Sequence, residues 1–258
     1  MRIPVIVMGA GGRMGSTLVR MVEEAPDLDL AGVTERPEHL EAVSRHGRAS
    51  SEVADLLAVI PKALVLDFTT PEASLAAARK AADQGACHVI GTTGLSGAQK
   101  EELARLAEKT PLFWSPNMSV GIAALVAILP DLARILGADY DLEVQEIHHA
   151  RKKDSPSGTA LRLAEVLAEA RGWKLEGTAR YHRQGLIGER PREEIGLQTL
   201  RGGDVVGVHT VYFLGTGERL ELTHQAQSRE NFAAGALRAA RWLYARAPGR
   251  LYGIQDML

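Results

Sequence analysis

The stretch "IPVIVMGAGGRMG", Ile3 to Gly15, decides the fold. Its first six residues form an unbroken apolar run, the pattern of a strand buried on both faces, as in a parallel sheet. Glycines follow at once, and "RMGSTLVRMVEEAP" then carries Met14, Leu18, Met21 and Val22 at helical spacing before Pro26 ends it. "LDLAGVTE" reads as a second strand, which completes a strand-helix-strand unit of the length a right-handed crossover requires. Between strand and helix, Gly9, Gly12 and Gly15 permit a tight turn, let backbone N–H groups approach a pyrophosphate, and leave room for close helix-strand packing. The helix N-terminus adds the positive end of a dipole. A glycine pattern alone is weak; the ordered elements around it carry the reading.

Working outward, the alternation continues. A helix is predicted near 50–58, a strand in "ALVLDFT" (63–69), a helix over 71–84, a strand in "CHVIGTT" (87–93), a helix over 96–109 and a strand in "PLFWS" (111–115). Such alternation implies an α/β fold with a Rossmann-like doubly wound parallel sheet. After about residue 118 the pattern changes to a long apolar helix (119–136), a strand "YDLEVQEIHHA" and a helix "GTALRLAEVLAEARG". From 193 onward "EEIGLQTLR", "DVVGVHTVYF" and "ERLELTHQAQ" look antiparallel, the last two joined through "LGTG". The C-terminal "ENFAAGALRAARWLYARAPG" is an amphipathic helix with Phe232, Leu237, Trp242 and Leu243 available for burial. A second, smaller α+β domain follows, and periodicity does not show whether the last helix returns to the first domain.

The 258 residues suffice for one large domain or two ordinary ones, and 45% hydrophobic with 24% charged residues is a globular composition. A net charge of −2 and 5% aromatic residues argue against nucleic-acid or anionic-membrane binding, so any basic cluster acts locally. The single cysteine, Cys87, fits a reducing cytoplasm and lies in a strand-like run, where an inert thiol is the default over a nucleophile. The N-terminal apolar run is too short for a secretory signal, and "SVGIAALVAIL" stops at Pro130, short of the roughly 20 residues of a membrane span. A cytoplasmic chain without a membrane partner is expected.

Ligands of open α/β sheets bind at the carboxyl edge of the strands. Glu35 in "TERPE" falls where a carboxylate accepts from an adenosine ribose, while Arg36 beside it suits a 2′-phosphate, so NADH and NADPH both stay open; the plainer reading is a solvated surface pair. "GTTG" (91–94) and "SPNMS" (115–119) end strands on the same edge and suit a nicotinamide and its ribose, or are ordinary strand-to-helix turns. In "EIHHARKKDSPSGTA" (146–160), a strand from Glu143 to His149 would send His148 and His149 to opposite faces, and only a turn through Asp154, Ser155 and Pro156 could bring Lys152 back. Ser157 is a candidate N-cap, and the amides of Gly158 and Thr159, with Lys152 and Lys153 nearby, make an anion site beside imidazoles that can pass a proton. The rivals are a solvated basic loop and a zinc site, and the second lacks a third ligand at familiar spacing.

These residues resemble the 4-hydroxy-tetrahydrodipicolinate reductases of bacterial lysine and diaminopimelate biosynthesis. "GAGGRMG", "DFTTPEA", "GTTG", "SPNMSVGIA", "EIHHARKKDSPSGTA" and "RGGDVVGVHTVYF" stand in family order and spacing, and the likeness runs to "SRENFAAGAL", nearly the whole chain. The resemblance implies NAD(P)H-dependent reduction of a cyclic unsaturated imine with two carboxylates: hydride to ring C4 with loss of the 4-hydroxyl as water, and a proton to C3. It implies that His148 donates and accepts the proton, that Lys152 donates one, and that His149, Gly158 and Thr159 bind the dicarboxylate. Its cofactor contacts fall on Gly9, Ala10, Gly11, Gly12, Arg13, Met14, Glu35, Arg36, Gly91, Thr92, Thr93, Ser115, Pro116, Asn117 and Met118. No metal is implied. It further implies a dinucleotide domain of 1–118 rejoined by 229–258, a substrate and oligomerisation domain of 119–228 with an open mixed sheet, hinges near Met118 and Arg229, and a homotetramer built through that sheet. Lys153 and Ser155 carry no implied role. Two competitors remain: a dehydrogenase acting on an amino acid or a semialdehyde, of which an acylating semialdehyde enzyme needs a thiol that the second domain lacks, and a dinucleotide-sensing module without chemistry.

Overall fold

The opening apolar run forms β1 (Ile3–Met8), and its continuity has a direct cause: Val5 and Val7 enter one core cluster while Ile6 and Met8 enter another on the opposite face of the sheet. The computed structural model describes residues 2–258 and falls into two units, the chain through Val120 with Arg229–Leu258, and Gly121–Ser228. In the first unit β1 is followed by α1 (Arg13–Glu24), β2 (Leu28–Thr34), a short α2 (Leu40–Val43), β3 (Ala49–Ser50), α3 (Val53–Val59), β4 (Leu64–Asp67), α4 (Pro71–Gln84), β5 (Cys87–Ile90), α5 (Gly97–Leu106) and β6 (Leu112–Trp114). The strands and a late β12 (Leu251–Tyr252) make a parallel sheet in the order β12-β6-β5-β4-β1-β2-β3. Strand order therefore reverses between β1 and β4, whose carboxyl ends are in register at Met8 and Asp67.

Helices cover both faces. α1 buries Gly15, Leu18, Val19 and Val22 beside α9 (Glu230–Tyr244), whose Ala233, Ala236, Ala239 and Ala240 allow close approach. α3 and α4 cover the other face with Leu56, Leu57, Ala77 and Ala81. Leu237 and Leu243 of α9 are buried, and Phe232 and Trp242 pack half-buried against the same core. β4 and β5 stop at Asp67 and Ile90, earlier than the apolar runs predict, so 68–69 and 91–93 leave the ladder and form turns on the carboxyl edge.

The second unit contains α6 (Val120–Leu136), β7 (Asp141–His148), α7 (Gly158–Ala170), α8 (Leu175–Thr178), β8 (Ala179–Arg180), β9 (Ile195–Arg201), β10 (Gly207–Leu214) and β11 (Arg219–Ala226). The sheet order is β11-β10-β7-β9-β8. β10 and β11 form the expected antiparallel hairpin, but β9 does not join β10: β7 lies between them, antiparallel to β10 and parallel to β9. The reason is the connection, since β7 reaches β9 through α7, a crossover that restores strand direction. α6 and α7 cover one face, packing Leu125, Leu129, Leu163 and Leu167 on Leu142, Val144, Leu197, Val211 and Phe213.

Two further expectations change. The apolar stretch is longer than the run that stops at Pro130, because the helix passes through that proline to Leu136, close to the predicted 119–136. Val120–Asp139, with a mean hydropathy of 1.9, is long and apolar enough to cross a membrane by composition; yet Ile122, Leu125, Leu129 and Ala133, at helical spacing, lie in this unit's core. The strand predicted through His149 ends at His148, and His149 begins the turn that follows.

Gly15 shows how tightly the first turn is built, because a Cβ there would strike the Gly9 carbonyl oxygen, whereas one at Gly97 would meet nothing. Gly15→Ala is expected to cost about 2–3 kcal/mol by overpacking, read as a lower urea midpoint, with Gly97→Ala near neutral. Equal midpoints for the two variants would contradict the close approach.

Candidate active site

The inward stripe of β7 runs Leu142, Val144, Glu146, His148, so the alternation that buries two aliphatic side chains also buries a carboxylate and an imidazole. Glu146 is 1% exposed, and its oxygens are heavily used. Oε2 accepts from His148 Nδ1 and from Arg201 Nη1 at 2.8 Å, and Oε1 accepts from Arg201 Nη2 at 2.8 Å and from the Ser157 amide at 2.9 Å. Burial pushes the Glu146 carboxyl up, but Arg201, His148 and the Ser157 amide together hold it down at about 2. It is a carboxylate at any working pH.

That fixes the state of its neighbours. Burial lowers His148 below its usual range, against the opposing pull of Glu146, so the ring is neutral at neutral pH. With Nδ1 donating to Glu146, Nε2 is the nitrogen left to take or give a proton, a tautomer assigned from the hydrogen-bond network. A Cβ at residue 207 would lie 2.9 Å from that nitrogen, which explains a glycine at the start of β10. His209, two residues along β10, packs edge-on to His148 at 5.1 Å between ring centroids, and its Nε2 lies 3.2 Å from Ser157 Oγ. Burial, then the His148 charge, push His209 down to about 3.

Ser157 caps α7 as its sequence position predicts, its hydroxyl accepting from the Ala160 amide at 3.2 Å. Its own amide is held by Glu146, so one carboxylate sets both the imidazole and the start of the helix. Gly158 is exposed and Thr159 half-buried in the first turn, where helix N–H groups favour an anion. The turn before it brings Lys152 back: its amide donates to the His149 carbonyl at 3.1 Å, and its half-buried ammonium pairs with Asp154 at 2.9 Å while its charge reaches His148. His149 leaves the sheet through an amide bond to the Val205 carbonyl at 2.8 Å, and its buried Nδ1 makes no hydrogen bond. Lys153 is exposed.

In the first unit Gly9 takes a left-handed φ of +64°, Gly12 caps α1 without any side-chain hydrogen bond, and Arg13 and Met14 open that helix. Glu35 stands over this turn: Oε2 accepts from the Gly11 amide at 2.8 Å and Oε1 from the Arg36 amide at 2.9 Å. A Cβ at Gly11 would come within 2.9 Å of the same carboxylate, and Ala10 is tied by its amide to the Thr34 carbonyl at 3.0 Å. The uncapped helix start, glycine cradle and adjacent carboxylate fit a dinucleotide. The Arg36 side chain is exposed, 3.4 Å from Glu38. Gly91, Thr92 and Thr93 turn off β5, with Thr92 buried and bonded to Ser74 and the Trp114 indole. Ser115, Pro116 and Asn117 turn off β6, the Ser115 hydroxyl donating to the Asn117 carbonyl at 2.7 Å. Met118 is a core residue whose side chain is buried and whose carbonyl packs against Gly235 of α9.

Sequence reading missed Glu146, Arg201 and His209. The available signal was the alternation itself, which puts Glu146 in line with Leu142 and Val144 and so demands a partner for a buried charge. Because the folded His209 binds its proton far less readily than an ordinary histidine at 6.5, the unfolded chain protonates first on acidification. The stability from keeping the ring neutral is present above 6.5 and is lost as pH falls toward about 3. The urea midpoint is expected to fall between pH 6.5 and 5, a window above the titration of ordinary carboxyls, and to fall less steeply in His209→Gln; identical slopes would contradict this.

Residues 3–118 match the family described as dihydrodipicolinate reductase, N-terminus, and residues 121–258 match dihydrodipicolinate reductase, C-terminus. The 4-hydroxy-tetrahydrodipicolinate reductase of Nitratidesulfovibrio vulgaris is 61% identical over 259 residues, covering 100% of both chains. That of Myxococcus xanthus is 48% identical over 99% of this chain and 97% of the relative. Among solved structures, a dipicolinate-bound dihydrodipicolinate reductase from Paenisporosarcina sp. TG-14 aligns over 100% of both chains with a TM-score of 0.78 and 25% identity. An amine dehydrogenase from Mycobacterium smegmatis shares the fold, with a TM-score of 0.60 at 13% identity over 99% of this chain and 96% of its own. The chain belongs to the dihydrodipicolinate reductase family of pyridine-nucleotide-dependent reductases.

Proposed function

We propose that the chain reduces 4-hydroxy-tetrahydrodipicolinate to tetrahydrodipicolinate, with NADH or NADPH as reductant and water as the second product, in diaminopimelate and lysine biosynthesis. The observation that carries this reading is the double hold of Glu146 on His148 and on the Ser157 cap: a neutral, oriented imidazole is tied to an anion-binding helix start. The family of the relatives fits the same chemistry, since they are named for 4-hydroxy-tetrahydrodipicolinate as substrate.

In this reading the amides of Gly158 and Thr159, with His149, take a ring carboxylate. Loss of the 4-hydroxyl as water takes up a proton at the departing oxygen and releases one from a ring carbon beside C4, and after hydride reaches C4 one proton is taken up at C3, so one proton is consumed overall. The Lys152 ammonium holds a proton to give, while His148 Nε2, bare in the neutral ring, accepts a proton and returns it with the Nδ1 bond to Glu146 kept. The Asp154 partner of Lys152 is exposed, and such a pair is worth only about 0–1 kcal/mol, so the ammonium turns to a dicarboxylate at little cost. A reduced nicotinamide cofactor, if held by the first unit, would provide the hydride chemistry at ring C4. Gly9 to Met14 would hold its pyrophosphate, Glu35 the adenosine ribose, Arg36 the 2′-phosphate of NADPH, and Gly91 to Thr93 with Ser115 to Met118 the nicotinamide end.

An acylating semialdehyde mechanism fits poorly, because burial pushes the Cys87 thiol up to about 11. A homotetramer through the second unit's sheet belongs to the proposal. On that surface Tyr212 donates to Gln145 at 3.1 Å, and a loop held by Arg183 and Arg190 on Glu143 presents exposed Leu186 and Ile187.

With substrate generated in place by the upstream synthase, NADH oxidation is expected only when synthase product and this protein are both present. NADH binding without turnover would favour a sensing module. His148→Gln and Lys152→Ala are each expected to lower kcat by about 10²–10⁴-fold, with cofactor affinity nearly unchanged. Arg36→Ala is expected to lower the NADPH to NADH preference, and an untouched ratio would remove that role.

A further inference from the structure

A second buried carboxylate lies outside the chemistry above. Asp67 ends β4 at the point where strand order reverses, in register with Met8 of β1 and Ile90 of β5. It is fully buried, and so is His88 of β5, whose Nε2 lies 3.4 Å from Asp67 Oδ2. Asp67 Oδ1 accepts from the Thr69 amide at 2.9 Å and the Thr69 hydroxyl at 2.6 Å, and the Asp67 carbonyl accepts from the Gly91 amide at 2.8 Å.

The turn pinned in this way touches a dinucleotide turn on each side. A Cβ at Gly9 would sit 3.1 Å from the Thr69 methyl, and the Phe68 ring fills the space where a Cβ at Gly91 would go. Behind it Ser74 of α4 donates to the Thr92 hydroxyl at 2.7 Å. One short turn thus wedges the glycine turn on one side and Gly91–Thr93 on the other.

A buried carboxylate persists only with donors or an opposite charge. Oδ1 has both of its donors from Thr69, while Oδ2 faces His88 Nε2 at 3.4 Å. Neither ring nitrogen of His88 and neither lone pair of Asp67 Oδ2 completes a hydrogen bond, so the two buried groups meet through the 3.4 Å Nε2–Oδ2 approach. Burial pushes the Asp67 carboxyl up, and the His88 contact leads the interactions that bring it below its ordinary value.

We infer that Asp67 and His88 are a positioning pair that sets the two dinucleotide-binding turns, and so the affinity for the cofactor, without either side chain touching it. The inference rests on the dinucleotide reading of this unit. His88→Leu puts an apolar group against the buried Asp67 Oδ2 and is expected to raise the NADH Kd about tenfold, whereas His88→Gln, which keeps a polar group there, stays within about threefold. The Asp67→Asn/His88→Leu double variant is expected to be no weaker than the weaker single one, as for coupled partners. Pyridine-2,6-dicarboxylate affinity should be unchanged throughout.

Fluorescence titration of the full chain with NADH, and calorimetry with the dicarboxylate, read these outcomes. Equal losses in His88→Leu and His88→Gln, additive effects in the double variant, or unchanged NADH affinity in folded His88→Leu would each overturn the pairing. Should His88→Leu not fold, Asp67→Asn carries the same expectation. Wild-type protein that bound no NADH would overturn the dinucleotide reading itself, a result separable from any behaviour of the variants.

Discussion

The second unit is organised by the burial of Glu146. Taking an ionised carboxylate out of water costs several kcal/mol, and only excellent geometry offsets it. Arg201 provides that geometry from β9 with two bonds of 2.8 Å, and the Ser157 amide and His148 use the remaining lone pairs. Three elements are thereby tied at one point: the end of β7, the end of β9 and the start of α7. The parallel pairing of β7 with β9 is what brings Arg201 opposite His148, so the topology and the site have a common cause.

The consequence for chemistry is a division of state. Glu146 is charged, His148 and His209 are neutral, and the Lys152 ammonium pairs with an exposed carboxylate. In the proposed function a dicarboxylate would meet helix amides and a lysine whose existing partner is cheap to leave, while the imidazole keeps its orienting bond. The first unit uses a similar device at its own strand ends, where Glu35 and Asp67 tie backbone amides of the turns that leave the sheet.

Long periodic elements were legible in the sequence because their burial is local: β1, α1, α4 and α6 each write their own pattern. β3, β8 and β12 were not, since two residues carry no period. The parallel direction of β9 was hidden for a different reason, because alternation tells which face of a strand is buried and not which strand lies next to it. Pro130 did not hide α6, since the missing N–H of one turn is outweighed by a stripe from Ile122 to Ala133 packed in the core. Of the site, "HHARKKDSPSGTA" displayed its basic and turn-forming residues openly, and the Ser157 cap could be read from them. Arg201 and His209 could not, since they reach Glu146 and Ser157 from 55 and 52 residues away.

The central claim is that one carboxylate sets both the proton-carrying imidazole and the anion-binding helix start. Calorimetric titration of Glu146→Gln with pyridine-2,6-dicarboxylate, alongside NADH, tests it most directly. The account predicts dicarboxylate affinity lower by about tenfold or more, from the loss of a charge-assisted network, with NADH affinity unchanged. Dicarboxylate binding as tight as that of the wild type, in a folded variant, would contradict it.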